Sequence, residues 1–350
     1  MNVRKLNDIC LNITDGTHST VKDDNTGNSY LLSCKNVKDG KIIFNENDRK
    51  INDGTLSQLR KRTKMSFGDV VLTTVGTIGE SSIINFDNPI FEFQRSVAIM
   101  KANSSLILPK YLHYFFVSQM GQSSIKSRIK GAAQPCLFLN DLKDIEIDLP
   151  FLSNQQHIVN TIGTIDDLIE KYQEIINKIN NIIRLKYANL EPSDIKLSSI
   201  AEIKYGVGLE AAKLNDRYKY PVYGSNGIIG TLPSYEFDKP KICISCRGAS
   251  SGNVILTKPY ATISSNSLYL NLKDENITLP LYSFLNRTGL NSFATGSAQP
   301  QITIDNLQHV NVPVITQNKN DNYIMTLYFT TLKKIESAKK CKELLLSKYF

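Results

Sequence analysis

Between Ser153 and Leu190, apolar residues recur at Ile158, Ile162, Ile165, Ile169, Tyr172, Ile176, Ile179 and Ile183. The steps alternate between four and three, the spacing that keeps one stripe of an α-helix turned toward a partner helix. No proline interrupts the stretch and Pro192 follows it, so the pattern predicts one helix over residues 153–190. At about 1.5 Å per residue it would be roughly 50–55 Å long, more than a compact domain ordinarily needs. A long core helix inside one globular domain would show the same run, but the rest of the chain favours a spacer between two bodies.

On either side of that stretch the pattern changes to short strands broken by glycine. Leu31–Phe44 carries two apolar stretches around Asp39-Gly40, a hairpin signal. Asp69–Ile84 reads as strand, glycine turn and strand, Lys110–Ser127 as a helix, and Asn140–Pro150 as an alternating strand. The same order returns after the rod. Lys5–Gly16 parallels Lys196–Gly206, Asp69–Ile84 parallels Lys241–Leu256, and Leu108–Phe115 parallels Leu279–Asn286. Gly131–Pro150 parallels Gly296–Pro313, each opening on a Gly-small-Ala-Gln-Pro segment. A helix follows the second copy too, with Ile324, Tyr328, Thr331, Ile335 and Ala338 at the same spacing and a seam that drifts near Cys341–Leu345.

The chain therefore reads domain–helix, domain–helix: residues 1–152, 153–190, 191–315 and 316–350. If the two seams pair, the second helix runs back antiparallel to the first, and the molecule has a pseudo-twofold axis across the rod. The expected fold class is α+β, with two similar mixed α/β, strand-rich domains separated by two long antiparallel coiled-coil helices.

Composition narrows the setting. Hydrophobic residues make up 41% and charged residues 21%, as in a globular protein. No apolar run reaches 18 residues, and Met1–Gly16 lacks the apolar core of a signal peptide, so a cytoplasmic protein without a membrane partner is expected. Asn-x-Thr matches such as Asn12-Ile13-Thr14 then carry no glycosylation meaning. A net charge of +8 favours an anionic partner. Cys243 and Cys246 form a lone C-x-x-C within a strand pattern, which turns them to opposite faces and suits buried thiols better than a metal.

Catalytic patterns are missing. The chain has no phosphate-binding G-x-x-x-x-G-K-[ST] loop, no G-x-G-x-x-G and no Asn/Asp-Pro-Pro-aromatic tetrapeptide. His18, His113, His157 and His309 stand alone, and no acidic set recurs in both halves. We therefore expect no catalytic residue, no metal and no cofactor held by this chain itself. What recurs is loop chemistry. Gly76–Gly79, with Thr77, and Arg247–Gly252, with Ser250, would let backbone N–H groups approach a phosphate. Gln134 and Gln299 carry an amide able to pair bidentately with adenine. Arg60, Lys61, Arg62 and Lys64 form one basic cluster, read as flexible cations against phosphates; Lys126, Arg128 and Lys130 form another. Each loop also reads as an ordinary tight turn, and each cluster as a solvated face.

With these features together, the chain resembles the DNA sequence-specificity subunits of type I restriction-modification systems. The strongest single carrier is Tyr220-Pro221-Val222-Tyr223-Gly224-Ser225-Asn226-Gly227-Ile228-Ile229-Gly230. The Gly-small-Ala-Gln-Pro segments and Gln155-Gln156-x-Ile158 at the helix start also match. The first domain departs from the strongest motif, reading Tyr30-Leu31-Leu32-Ser33-Cys34-Lys35-Asn36-Val37. The resemblance implies a non-catalytic subunit with two target-recognition domains, each reading one half of a bipartite double-stranded DNA target. Ser225 and Asn226 join the candidate DNA contacts on that ground. It further implies helices that set the gap, and two copies of an adenine methyltransferase subunit that binds S-adenosylmethionine; motor-nuclease subunits can join such an assembly. A nuclease built from a duplicated domain would need matching acidic residues in both halves, and a scaffold without nucleic acid would leave the basic clusters without purpose.

Overall fold

A computed structural model describes residues 2–215, 217–296, 300–316, 318 and 320–350. The chain divides into two compact units, Met1–Glu170 with Glu336–Phe350, and Lys171–Ile335. Each long helix is thereby shared between the units, whereas the sequence pattern sets the helices apart as segments of their own.

Unit one runs β1 (Val3–Lys5), α1 (Leu6–Ile9), β2 (Cys10–Asp15), β3 (Ser29–Leu32), β4 (Val37–Lys38), β5 (Lys41–Ile42), β6 (Lys50–Ile51) and α2 (Asp53–Thr63). It continues through β7 (Val70–Thr73), β8 (Ser81–Ile83), β9 (Phe91–Phe93), β10 (Val97–Ala102), α3 (Pro109–Val117), α4 (Gln119–Lys126), α5 (Leu139–Lys143) and β11 (Glu146–Asp148). The main sheet is antiparallel in the order β2-β10-β7-β8. Its central strands carry unbroken apolar runs, Val70–Leu72 and Val97–Met100, because both faces are covered there. Val70, Leu72, Ala98 and Met100 face a core with Leu112, Phe115 and Phe116 of α3, while Val71, Val97 and Ile99 face a second core with Phe91 and Phe93. In the second sheet, β6-β3-β9, β3 and β9 run parallel. The β4–β5 hairpin turns at Asp39 and Gly40, with φ of 51° and 77°, the primed turn that matches strand twist.

Unit two repeats the plan. After β12 (Ile195–Lys196), α7 (Leu197–Ile200) and β13 (Ala201–Tyr205) come β14 (Tyr220–Gly224), β15 (Gly227–Leu232), β16 (Ile242–Ser245) and β17 (Val254–Leu256). Then follow β18 (Thr262–Ile263), β19 (Ser267–Leu272), α8 (Thr278–Thr288), α9 (Ile304–Gln308) and β20 (Asn311–Val312). The sheets β13-β19-β16-β17 and β15-β14-β18 match those of unit one strand for strand, including the parallel β14–β18 pair. Cys243 and Cys246 lie on opposite faces, Cys243 with Tyr223 and Ile263, Cys246 with Leu268 and Leu285. Burial pushes the Cys243 thiol up to about 12.

Gly16 and Gly206 hold equivalent places that explain why each copy ends its second strand on glycine. An added Cβ at Gly16 would lie 2.0 Å from the Phe93 carbonyl oxygen, and at Gly206 2.2 Å from that of Ile263. Here the backbones touch and no side chain fits. The same crossing sets the register between the halves. The Leu32 carbonyl accepts the Gln94 N–H at 2.8 Å, as the Tyr223 carbonyl accepts that of Ser264 at 2.8 Å. Leu32 therefore corresponds to Tyr223, one place out of step with the match of Tyr30 to Tyr220. The motif is not mirrored because β14 turns straight into β15, whereas β3 pairs with β6 after the excursion through β4 and β5.

The first long helix, α6, spans Leu152–Lys186, and the second, α10, spans Asn320–Tyr349. The first ends four residues short of Leu190: Ala188 N–H turns to Leu185 O, a tighter i→i+3 closure, and the chain leaves the helix before Pro192. Within unit one, Lys342 pairs with Asp166 at 2.6 Å, Tyr114 donates to the same carboxylate at 2.7 Å, and Phe350 packs 4.9 Å from Tyr111. Within unit two, Lys186 and Tyr187 both reach Asp321, and Lys334 lies over Tyr172 at 5.5 Å. In each unit higher numbers on α6 meet lower numbers on α10, so the pairing is antiparallel. Ile158, Ile162, Ile176, Ile179, Ile183, Thr331, Ile335 and Ala338 are buried, while Ile165, Ile169, Tyr172, Ile324 and Tyr328 are half-buried. The drift near Cys341–Leu345 marks where α10 exchanges helix packing for the core of unit one, which takes in Leu345, Leu346, Tyr349 and Phe350.

Gln155 fixes the start of α6. Its fully buried amide accepts from Leu108 N–H at 2.9 Å and donates to Leu106 O at 2.8 Å and Pro150 O at 2.9 Å. Among the described residues, no helix is long and apolar enough to cross a membrane.

Candidate nucleic-acid interface

In unit one, three loops meet at one end of the main sheet. The β7–β8 connection needs glycine at Gly76 and Gly79, with φ of 73° and 100°. The second loop, Gly131–Pro135, is closed by reciprocal Lys130–Cys136 hydrogen bonds of 2.8 and 3.0 Å. A Cβ at Gly131 would lie 2.6 Å from the Gln134 carbonyl oxygen, so this loop is tight as well. It docks on the first through Leu137 N–H to Thr74 O at 2.9 Å. The third is the β9–β10 turn Gln94-Arg95-Ser96, whose Ser96 carbonyl accepts from Thr74 N–H at 2.9 Å. Thr77, Gln134 and Arg95 are exposed on this end.

Unit two builds the same meeting from different residues. Gly248 and Gly252, with φ of 75° and 95°, shape the β16–β17 loop. Reciprocal Thr295–Gln301 bonds of 2.9 Å close the second loop, and Ile302 N–H donates to Cys246 O at 2.9 Å. The β18–β19 turn contributes Asn266 O, which accepts from Cys246 N–H at 3.2 Å. The β14–β15 turn joins them, because Ser245 Oγ donates to the Ser225 carbonyl. Arg247 and Asn226 are exposed, and Ser225 and Ser250 half-buried. Gln299 lies outside the described residues.

The basic clusters come out differently from their reading as free cations. Arg60 and Arg62 are bonded within unit one. Arg60 pairs through Nε with Glu92, which is fully buried, and donates to the carbonyls of Pro89 and Phe91 at 3.0 and 2.6 Å. A carboxylate with no access to water needs such a partner. Arg62 binds the carbonyls of Asp15 and Gly16 beside the Asp15 carboxylate. Lys64 is the left-handed C-cap of α2, with φ of 49°, and its side chain is exposed, as is that of Lys61. Arg128, half-buried, donates to the carbonyls of Ser124 at 3.0 Å and Asp144 at 3.3 Å, capping the ends of α4 and α5. Lys130 pairs with Asp141 at 2.6 Å on the surface, and Lys126 is exposed. Arg95 lies outside every basic cluster of the sequence; its one signal there is an isolated arginine between the apolar runs Phe91–Phe93 and Val97–Met100.

Among the described residues, no cluster of three His, Cys, Asp or Glu could hold a metal ion. The arrangement offers rigid backbone loops with exposed amide, hydroxyl and guanidinium groups, which suits recognition by hydrogen bonding.

The family model for the type I restriction modification DNA specificity domain matches residues 1–181 and again 191–345. A specificity subunit of the type I restriction enzyme EcoBI from Escherichia coli is 27% identical over 164 residues, 46% of this chain and 34% of that protein. A putative type I specificity subunit from Mycoplasma genitalium is 28% identical over 167 residues, 41% of this chain and 43% of that one. The chain thus spans about a third to under half the length of these relatives. The crystal structure of a type I restriction-modification S subunit from M. genitalium covers 100% of this chain and 96% of its own, with a TM-score of 0.59 at 17% identity, a likeness of fold. With two consecutive matches covering nearly all of its length, the chain belongs to the type I restriction-modification DNA specificity family.

Proposed function

We propose that the chain selects the DNA target of a type I methyltransferase and is not itself catalytic. One observation carries this reading: in both units the glycine-shaped sheet loop accepts, through a backbone carbonyl, the N–H that follows the closing pair of the second loop, at the same end of the same four-stranded sheet. The scaffold bonds are kept while the exposed residues change, as expected of two domains that read two different half-sites. Each unit reads one half of a bipartite duplex through its loop end. For unit one the contacts are Thr77 and Gln134, with Lys61, Lys64 and Lys126 toward phosphates; for unit two they are Ser225, Asn226, Arg247, Ser250 and Gln299.

The paired helices set the unread gap between the half-sites and carry two copies of an adenine methyltransferase subunit that binds S-adenosylmethionine. Ile175 and Ile182, seven residues apart on α6 and 37% and 53% exposed, support a protein partner on that helix. Such an assembly can also take up motor-nuclease subunits, and it works in the cytoplasm. The test is binding and turnover. The chain with its methyltransferase subunit should bind one bipartite duplex in a salt-dependent way and methylate adenine in it, while the chain alone turns over no S-adenosylmethionine. Robust methylation or cleavage by the isolated chain would contradict the reading.

A further inference from the structure

Unit one contains six arginines: Arg4, Arg49, Arg60, Arg62, Arg95 and Arg128. Five are held inside the unit. Arg4 binds the Asn2 side chain, Arg49 pairs with Asp23, Arg60 with Glu92 and Arg62 with Asp15, and Arg128 caps two helices. Arg95 differs. Its backbone is fixed, with N–H to Thr17 O at 3.0 Å, yet its guanidinium makes no hydrogen bond and no ion pair among the described residues. It stands exposed on the β9–β10 turn, whose next residue, Ser96, accepts from Thr74 in the first loop and, through Oγ, from Cys34 N–H at 3.1 Å. Burial raises the Cys136 thiol at the closing pair of the second loop, and the Arg95 guanidinium opposes that rise. The turn is thus rigid, and the one uncommitted arginine of the unit projects where the loops converge.

A rigid base under a free planar fork is the chemistry that reads guanine, since two parallel N–H donors match O6 and N7 in the major groove and a lysine cannot copy them. Unit two has serine at the corresponding turn position, Ser265, and instead exposes Arg247 from the β16–β17 loop, at the place that Val75 takes in unit one. Its guanidinium too is unpaired among the described residues. Each domain supplies an arginine to its loop end, but from a different loop, so the two would meet different positions of their half-sites. We propose that Arg95 is a base-reading residue of domain one that recognises a guanine in its half-site, with Arg247 serving domain two. This rests on the reading of the loop ends as the duplex-facing surfaces.

The experiment is selection of bound DNA from a pool of random-sequence duplexes, by the full chain complexed with its methyltransferase subunit. Wild type, Arg95→Ala, Arg95→Lys and Arg247→Ala are compared, with a melting curve for each. Wild type should select a bipartite motif. Both Arg95 variants should melt as wild type does and lose preference for one guanine by roughly 10- to 100-fold, the rest of the motif persisting. Arg247→Ala should lose a position in the opposite half. An unaltered motif in Arg95→Ala overturns the proposal. So does a uniform loss over all duplexes in Arg95→Ala that Arg95→Lys restores, since that marks a phosphate contact. A wild-type complex that selects no motif removes the underlying reading of DNA recognition, a result distinct from either.

Discussion

Glu92 has no access to water and is held by Arg60 Nε and by Thr63 Oγ1 at 2.7 Å. Removing the guanidinium leaves a buried carboxylate with only neutral donors, Thr63 Oγ1 and the Phe93 N–H at 3.3 Å, so Arg60→Ala should cost on the order of 3 kcal/mol in denaturant unfolding. Lys61→Ala and Lys64→Ala should leave stability alone. If these lysines neutralise phosphates, each substitution should flatten the slope of log K against log salt by about 0.9. An unchanged slope would make both lysines ordinary solvated residues. His113 supplies a pH test. Burial lowers its imidazole to about 4 from the usual 6.5, the Lys342 ammonium works in the same direction, and Nδ1 lies 3.2 Å from Ser81 Oγ. In the unfolded chain the ring takes a proton below pH 6.5 while the folded form refuses it until about 4. Stability is thus full above pH 6.5 and lost on acidification, at about 1.4 kcal/mol per pH unit. Relative to His113→Gln, wild type should lose on the order of 3 kcal/mol across that window. A constant difference between the two at every pH would refute the assignment.

At the scale of elements, the rod seam is legible because only a helix places residues four and three apart on one line, and because the isoleucines at those places are buried or half-buried. The ends of the helices are less so. Gln155 is marked in the sequence only as part of the motif that opens the helix; in the structure it is fully buried and satisfies three backbone groups, two of them distant in sequence. Replacing it with Ala should cost about 2 kcal/mol by leaving those groups unpaired, and a neutral result in thermal unfolding would contradict its role. The basic cluster shows the opposite failure. Charge density at Arg60–Lys64 is plain in the sequence, but the partners Glu92 and Asp15 come from strands 32 and 47 positions away, beyond any local pattern. Glycine turns were readable because positive φ demands glycine; which loops touch was not, since that depends on sheet order. The helices can be tested as a ruler. Seven residues added after Glu170 and after Lys333 keep the seam in register, and lengthen each helix by about 10 Å. The unread gap should shift upward or specific binding should fall sharply; the original gap at full affinity would show that the helices set no distance.

For the whole molecule, duplication is the main fact. The two sheets, the parallel strand pair, the glycine crossing and the docked loops recur in both units. Replacing residues 196–313 with the corresponding domain of a relative should therefore change one half of the recognised target and leave the other intact, as read by methylation mapping. The central proposal is that the chain decides where a partner methyltransferase acts and does not itself catalyse methylation. The most direct measurement maps methylated adenines across genomic DNA in cells carrying the methyltransferase subunit, with and without this chain. The expected result is a single bipartite motif with an unread gap, methylated only when the chain is present. Methylation at the same sites without the chain, or no motif with it, would contradict the account.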